Sequence, residues 1–258
     1  MSTKIHPTAI IESSAQIGNN VTIGPLAIIE NNVIIGDDTT ISSHATIKEF
    51  SKIGSNCKIF QSAVIGEIPQ DLKFDGEKTN LIIGDNTTIR EFCTLNRGTS
   101  ESNKTQIGNN VLLMAYVHIA HDCLIGDNVI LANGVQLGGH VKIENHAIIG
   151  GTTPIHQFCK IGEYAMVGGG FRVVQDVPPY ILAAGEPLKF NGLNSLGLRR
   201  KGFSANKRKA IKEAYKYIYN SELNINSAIQ KIKSKLDFNI PEIQKIILFI
   251  EKSERGLV

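Results

Sequence analysis

The sequence has no tryptophan, three methionines and four cysteines in 258 residues. Its apolar runs, such as Ile246-Ile247-Leu248-Phe249-Ile250, fall far short of the roughly 20 residues a membrane-crossing helix needs. The opening Met1-Ser2-Thr3-Lys4-Ile5-His6-Pro7 lacks the apolar stretch of a secretory leader, so a cytoplasmic location is expected. Cys57, Cys93, Cys123 and Cys159 show neither the paired spacing of a metal site nor the density of a disulfide scaffold. A G-x-S-x-G elbow and a Gly-Lys-Ser/Thr phosphate loop are also missing, which leaves a serine hydrolase or a nucleotide-hydrolysing enzyme without support. With 42% hydrophobic and 20% charged residues, the composition is that of an ordinary soluble protein. The net charge of +3 conceals an asymmetry: residues 1–188 carry −6, and residues 189–258 carry +9. A basic tail of that strength suits either a solvated helical surface or an anionic partner.

What the sequence does contain is a repeat. Isoleucine recurs every six residues from Ile5 through Ile11, Ile17 and Ile23 to Ile65 without a gap. The phase returns at Ile83, Ile89 and Leu95, and again from Ile107 to Val173. Four residues after these aliphatics stand small or β-branched residues, among them Ala9, Ala15, Val21, Ala27, Val33, Ala45, Cys57, Ala63, Val111 and Ala147. A period of six matches neither a helix at about 3.6 nor a strand at 2, so each hexad is read as a short strand plus a corner. Three hexads close a triangular coil, with the aliphatics and their small partners inside and Gly, Asn and Asp at the corners. Stacked coils then lie about 4.8 Å apart. All four cysteines fall on small inward sites, which predicts buried, inert thiols.

Two stretches break the rhythm and are expected to loop out of the prism, near 67–80 and 100–106. Binding residues concentrate on such loops. The repeats stop at Pro178-Pro179, and residues 189–258 read as a helical domain. Helices are expected at Asn206–Tyr219 after an Ser204 N-cap, at Asn226–Leu236, and at Pro241–Lys252 with proline in the first turn. The expected architecture is therefore an all-β parallel β-helix over 1–188 followed by a C-terminal α-helical domain.

Five of the seven histidines fall between His118 and His156. His121, His140 and His156 lie in hexads one coil apart, so they are expected on one prism face, with His118 at the corner leading into it. One coil beyond His121 stands Gly139, whose backbone a substrate could approach. A neutral imidazole suits general-base work near pH 7. Asp122 offers a carboxylate to it, although neighbours on a strand ordinarily point to opposite faces.

These segments carry a resemblance. Ala115-Tyr116-Val117-His118-Ile119-Ala120-His121-Asp122-Cys123, Gly138-Gly139-His140-Val141 and Ile155-His156-Gln157-Phe158-Cys159 are similar to the UDP-N-acetylglucosamine 3-O-acyltransferases. So are Pro69-Gln70-Asp71-Leu72-Lys73, Asn96-Arg97-Gly98-Thr99, Gln175-Asp176-Val177-Pro178-Pro179-Tyr180 and Arg199-Arg200-Lys201-Gly202-Phe203. The resemblance implies a left-handed winding and a homotrimer with each site between two subunits. It implies transfer of an (R)-3-hydroxyacyl group from acyl carrier protein to the 3-position of UDP-N-acetylglucosamine or a close amino-sugar analogue, opening lipid A biosynthesis. In it His121 is the base, Asp122 its partner and Gly139 the oxyanion donor. Gln70, Asp71, Lys73, His118, His140, His156, Gln157, Asn194 and Arg200 bind substrate or line the cleft, and Gly169 with Met166 borders the acyl chain. Asn96 stands where many members have His, and Leu196 where an acidic residue can contact uracil, which leaves a 3-hydroxyl and a 3-amino acceptor both open. A sister N-acyltransferase family carries an extra amino-terminal domain, whereas the repeats here begin at Ile5. No cofactor, nucleic-acid partner or metal is expected. The zinc sites of gamma-class carbonic anhydrases, on the same repeat fold, pair histidines with four residues between them, and His140 and His146 have five.

Overall fold

The computed structural model describes residues 2–258. Each hexad supplies a short strand, as at Thr22–Ile23, Ile28–Ile29 and Ile34–Ile35. Strands one coil apart pair in parallel and in register: Ile5 on Ile23 on Ile41, Ile11 on Ile29 on Ile47, Ile17 on Ile35 on Ile53. The result is a left-handed parallel β-helix whose three walls hold eleven, eight and eight strands. The wall beginning with Ile10–Ile11 is called the second and the one beginning with Gln16–Ile17 the third.

The core is the interior of the prism. Ile29, Ile41, Ile47, Ile59 and Ile65 are fully buried, as are their small partners Val21, Ala27, Val33, Ala45 and Cys57. Burying one such isoleucine contributes roughly 1.5–3 kcal/mol. Large and small inward residues alternate along each coil, and the in-register ladder stacks isoleucine on isoleucine from coil to coil.

Asn and Asp take corners as expected, but aromatic residues and histidine take others. Glycine rarely takes the left-handed turn position. Asn20, Asn32, Asp38 and Asn56 do so with φ of 55–58°, and His44, Phe50, Phe92, Tyr116, Asp122, His140 and Phe158 with φ of 58–66°. Asn and Asp tolerate this region through local hydrogen bonding. The aromatic corners instead stack on one another from coil to coil, Phe92 on Tyr116 at 5.1 Å and His140 on Phe158 at 4.5 Å between ring centroids. Glycine serves just after the inward aliphatic, where coils approach most closely: a Cβ on Gly36 would lie 2.7 Å from Gly54 C and Ser55 N.

The first loop occupies 68–79, between strands Val64–Glu67 and Asn80–Ile83. The second has the expected length but lies three residues earlier, at 97–103, because Lys104–Ile107 is a strand paired with Asn80–Ile83. The inward residues of this strand are Ile107 and Thr105, the latter fully buried, with a hydroxyl that accepts a hydrogen bond from Asp122 N at 2.8 Å. A polar inward residue hid this strand from the hydrophobic pattern. The last two-residue hexad strand is Met166–Val167, and the first wall continues past residue 188. Ile181–Ala184 adds in parallel to Met166–Val167, and Lys189–Leu193 adds antiparallel to that.

Four helices follow: α1 Ser195–Arg200, α2 Ala205–Tyr219, α3 Ile225–Lys235 and α4 Pro241–Glu251. The last three match the expected helices within a residue. Helix α1 was not expected, being a single six-residue segment with a glycine inside it. Ser204 caps α2 by accepting from Lys207 N, and Tyr215 of α2 donates to Pro179 O at 2.6 Å, which ties the helices to the prism.

All four cysteines are free and buried, and burial pushes the thiols of Cys93 and Cys123 up to about 12 and that of Cys159 up to about 11. A thiol reagent at pH 8 should therefore find no fast-reacting group in the folded protein and four in guanidinium chloride, since only the thiolate reacts. A single rapidly labelled cysteine in the native chain would contradict this packing.

Candidate active site

Both loops and the histidines leave the prism at one corner, where the second wall turns into the third. The 68–79 loop follows the second-wall strand Val64–Glu67, and the 97–103 loop follows Thr94–Asn96 in the next coil. His121-Asp122, Gly139-His140 and Gln157-Phe158 are the turns of the three coils after that. The histidines are thus at an edge and not on a flat face as expected. His118 departs in the opposite sense, lying within strand His118–Ile119, where its Nδ1 shares a 2.8 Å hydrogen bond with Thr94 Oγ1.

The corner also resolves the geometric objection to an His121–Asp122 pair. Asp122 adopts φ 60°, so strand alternation does not apply and the two side chains meet, His121 Nδ1 to Asp122 Oδ2 at 2.7 Å. The Asp122 side chain has no solvent exposure. Burial alone would push its carboxyl up, but hydrogen bonds from His121, Ser102 and Thr99 prevail and hold it well below the usual carboxylate range. An ionised carboxylate only accepts, so Nδ1 carries the proton and the Nε2 lone pair faces outward. The Asp122 hydrogen bond raises the imidazole above its ordinary value, opposed by burial and helped by the charges of Asp122, Asp71 and Glu101.

Gly139 lies directly against this ring. A Cβ there would sit 2.6 Å from His121 Cε1 and 2.7 Å from Nε2, so only glycine leaves the imidazole in place. The flanking rungs of the inter-coil ladder are Gly138 N to Ile155 O and His140 N to His121 O, and the Gly139 N–H between them makes no rung. His140 meets His121 edge-on at 5.2 Å between centroids, and its Nε2 is 3.5 Å from Glu101 Oε2 and 3.7 Å from Asp122 Oδ2. His121 Nε2 is 4.0 Å from Asp71 Oδ2. Around them opens a cleft of about 570 Å³ lined by Gln70, Asp71, Lys73, His121, His140 and Gln157, with Phe158 at its edge.

His121, Asp122 and His140 offer donor atoms within 4.8 Å of one another, a grouping that could in principle take a metal. Their chemistry fits poorly: the oxygens of Asp122 already accept from Thr99 N, Thr99 Oγ1, Ser102 Oγ and His121 Nδ1, which fills the four lone-pair positions of a carboxylate.

Residues 176–258 match the family described as Udp N-acetylglucosamine O-acyltransferase, Domain 2, and residues 14–49 and 104–139 match the bacterial transferase hexapeptide repeats. The chain is 58% identical over 255 residues to the acyl-[acyl-carrier-protein]–UDP-N-acetylglucosamine O-acyltransferase of Aquifex aeolicus, covering 98% of this chain and 97% of that protein. It is 56% identical to the protein of the same name from a Sulfurihydrogenibium species, covering 98% and 94%. Among solved structures, LpxA from Acinetobacter baumannii superposes with a TM-score of 0.96 at 49% identity, covering 98% of this chain and 99% of that one. The chain belongs to the UDP-N-acetylglucosamine O-acyltransferase family.

The residues that resemblance to this acyltransferase family marks do not all meet in one chain. Those on the corner and the 68–79 loop line the cleft. His156, exposed, turns its Nδ1 back to Gln157 O at 3.1 Å. Asn194 caps α1, accepting from Gly197 N and donating to Tyr164 O at 3.0 Å, and Arg200 ends that helix, exposed and outside the cleft lining. Gly169 belongs to the corner on the other edge of the second wall, and Met166 to the first wall. The residues missed from the sequence are Thr99, Ser102 and Thr105, which hold Asp122; the signals were the break in the hexads around them and, for Thr99, its place in the segment Asn96-Arg97-Gly98-Thr99.

Replacing Asp122 with Asn removes the largest raising influence on His121 while the opposing burial remains. Imidazole NMR should then show His121 titrating above pH 6.5 in the parent and lower in Asp122→Asn. An unchanged midpoint would mean the carboxylate does not act on the ring.

Proposed function

We propose that the chain transfers an (R)-3-hydroxyacyl group from acyl carrier protein to the sugar 3-position of UDP-N-acetylglucosamine, the opening step of lipid A assembly, with His121 as general base. The observation that carries this reading is the His121 Nε2 lone pair in the cleft, with Nδ1 fixed by Asp122 and the Gly139 N–H alongside. His121 Nε2 takes the proton of the acceptor 3-hydroxyl as its oxygen bonds to the thioester carbonyl carbon. The carbonyl oxygen becomes an oxyanion and takes a hydrogen bond from Gly139 N–H, a contribution of about 3–4 kcal/mol in comparable sites. Collapse of the tetrahedral intermediate breaks the C–S bond, and the carrier thiolate recovers the proton from the imidazolium. General-base assistance of this kind contributes about 10²–10⁴ in rate.

Gln70, Asp71, Lys73, His140 and Gln157 hold the acceptor in the cleft, with His118 and His156 on its approaches. The cleft of one chain lacks a guanidinium for the diphosphate. Arg200 and Asn194 complete it from a second subunit of a homotrimer, and Arg200 suits the diphosphate by bidentate hydrogen bonding. The net +9 of residues 189–258 complements an acidic carrier protein. A cytoplasmic enzyme meets both substrates, and no helix among the described residues is long and apolar enough to cross a membrane. Nothing in the transfer calls for a cofactor.

Incubating the protein with UDP-N-acetylglucosamine and 3-hydroxyacyl carrier protein should give the 3-O-acyl ester by mass spectrometry. His121→Ala should abolish it without loss of the oligomer, and retained turnover in that variant would move the base elsewhere. Gly169 is exposed at the far edge of the second wall, and the acyl chain runs across that wall toward it and Met166. Gly169→Met should accordingly shift selectivity to shorter acyl donors in a competition assay; unchanged selectivity would detach Gly169 from the acyl path.

A further inference from the structure

The 97–103 loop is an insertion. Leu95 pairs with Ile119, twenty-four positions on, where an uninterrupted coil such as Ile119 to Leu137 takes eighteen. Loops on such scaffolds ordinarily bind ligands, yet the best-buried polar side chain of this one, Thr99, points at Asp122. Thr99, 7% exposed, donates twice: N–H to Oδ1 at 3.0 Å and Oγ1–H to Oδ2 at 2.7 Å. Ser102 has one hydroxyl proton and two oxygens in reach, Asp122 Oδ1 and, at 2.9 Å, Lys104 O; the carboxylate is the nearer and the charged one. The Thr99 hydroxyl itself accepts from Glu101 N at 3.2 Å, which aims its proton at Oδ2. The loop is in turn fastened below. Gly98 N donates to Asn80 O at 3.2 Å, Asn96 Nδ2 to Ile68 O at 2.7 Å and Ser100 N to Glu77 Oε1 at 3.0 Å, and the Arg97 guanidinium lies over Phe50 and Phe74 at 5.3 and 5.5 Å.

We propose that Thr99 and Ser102 are positioning residues for the transfer, acting through Asp122: they complete its hydrogen bonding so that one orientation of the carboxylate survives, and that orientation fixes the His121 ring. A carboxylate buried with any of its four acceptor positions empty would turn toward whatever donor or water it could reach. Here the one acceptor position that the loop does not fill receives the proton of His121 Nδ1. The 97–103 loop thereby serves the base and the 68–79 loop serves the acceptor, with Asn96, Arg97 and Ser100 joining the two.

The inference rests on His121 acting as the base, and a double-mutant cycle separates the two claims. Thr99→Val keeps the side-chain shape and the N–H bond and removes the hydroxyl. It should lower kcat about 10- to 100-fold, as expected for a hydrogen bond to a charged group, with KM for both substrates within about twofold. Thr99→Ser should restore most of the activity. In an Asp122→Asn background, Thr99→Val should cost less than about twofold, because a residue acting only through Asp122 has nothing left to lose. Ser102→Ala, on an exposed stretch of the loop, runs the same cycle if Thr99→Val folds poorly. Equal losses in both backgrounds, or parent-level kcat in both single variants, would overturn the positioning role. Absence of product from the parent protein would instead overturn the proposed reaction.

Discussion

The backbone ladder between successive coils is the constraint on which the rest of the structure depends. Because each strand accepts from and donates to its counterparts one turn below and above, residues eighteen positions apart are brought to the inter-strand distance wherever the hexads are unbroken. That register puts Gly139 against the His121 ring and sets His140 N on His121 O. Neither contact requires long-range docking of separately folded parts. The insertions leave the ladder intact above and below: Ile65 still pairs with Leu95 and Leu95 with Ile119. Extra chain therefore leaves the prism only at a corner, and both insertions use the corner where the His121, His140 and Phe158 turns stack.

The fold was legible because the interior admits only one pattern. An inward aliphatic at every sixth residue from Ile5 to Ile65 has no other simple explanation, and the stacking of His121 beside Gly139 follows from counting. What escaped the pattern has a physical reason in each case. Thr105 fills an inward site with a polar side chain that Asp122 N satisfies, so the strand Lys104–Ile107 looked like loop. The corners are expected to hold Gly, Asn and Asp, yet aromatic residues and histidine take several of them, where stacking between turns, as in His140 on Phe158, offsets the cost of a left-handed backbone. The His121–Asp122 contact was doubted on the basis of strand alternation, a rule that ends where φ changes sign.

The remaining gap lies in residues that act on other residues. Histidines and aspartates announce themselves by type, whereas Thr99 and Ser102 look like any polar loop until their hydroxyls are seen to converge on one carboxylate. Asn194 shows the reverse: sequence resemblance marks it for substrate, and within one chain it caps α1. A helix cap and a ligand contact draw on the same amide.

The pairing of His121 with Asp122 has an evolutionary corollary. Because the dyad is formed by consecutive residues at a single turn, whole coils can be added or deleted elsewhere along the prism without retuning the reactive pair. Length can then drift with the needs of stability and assembly while the His121–Asp122 contact stays local to its own turn.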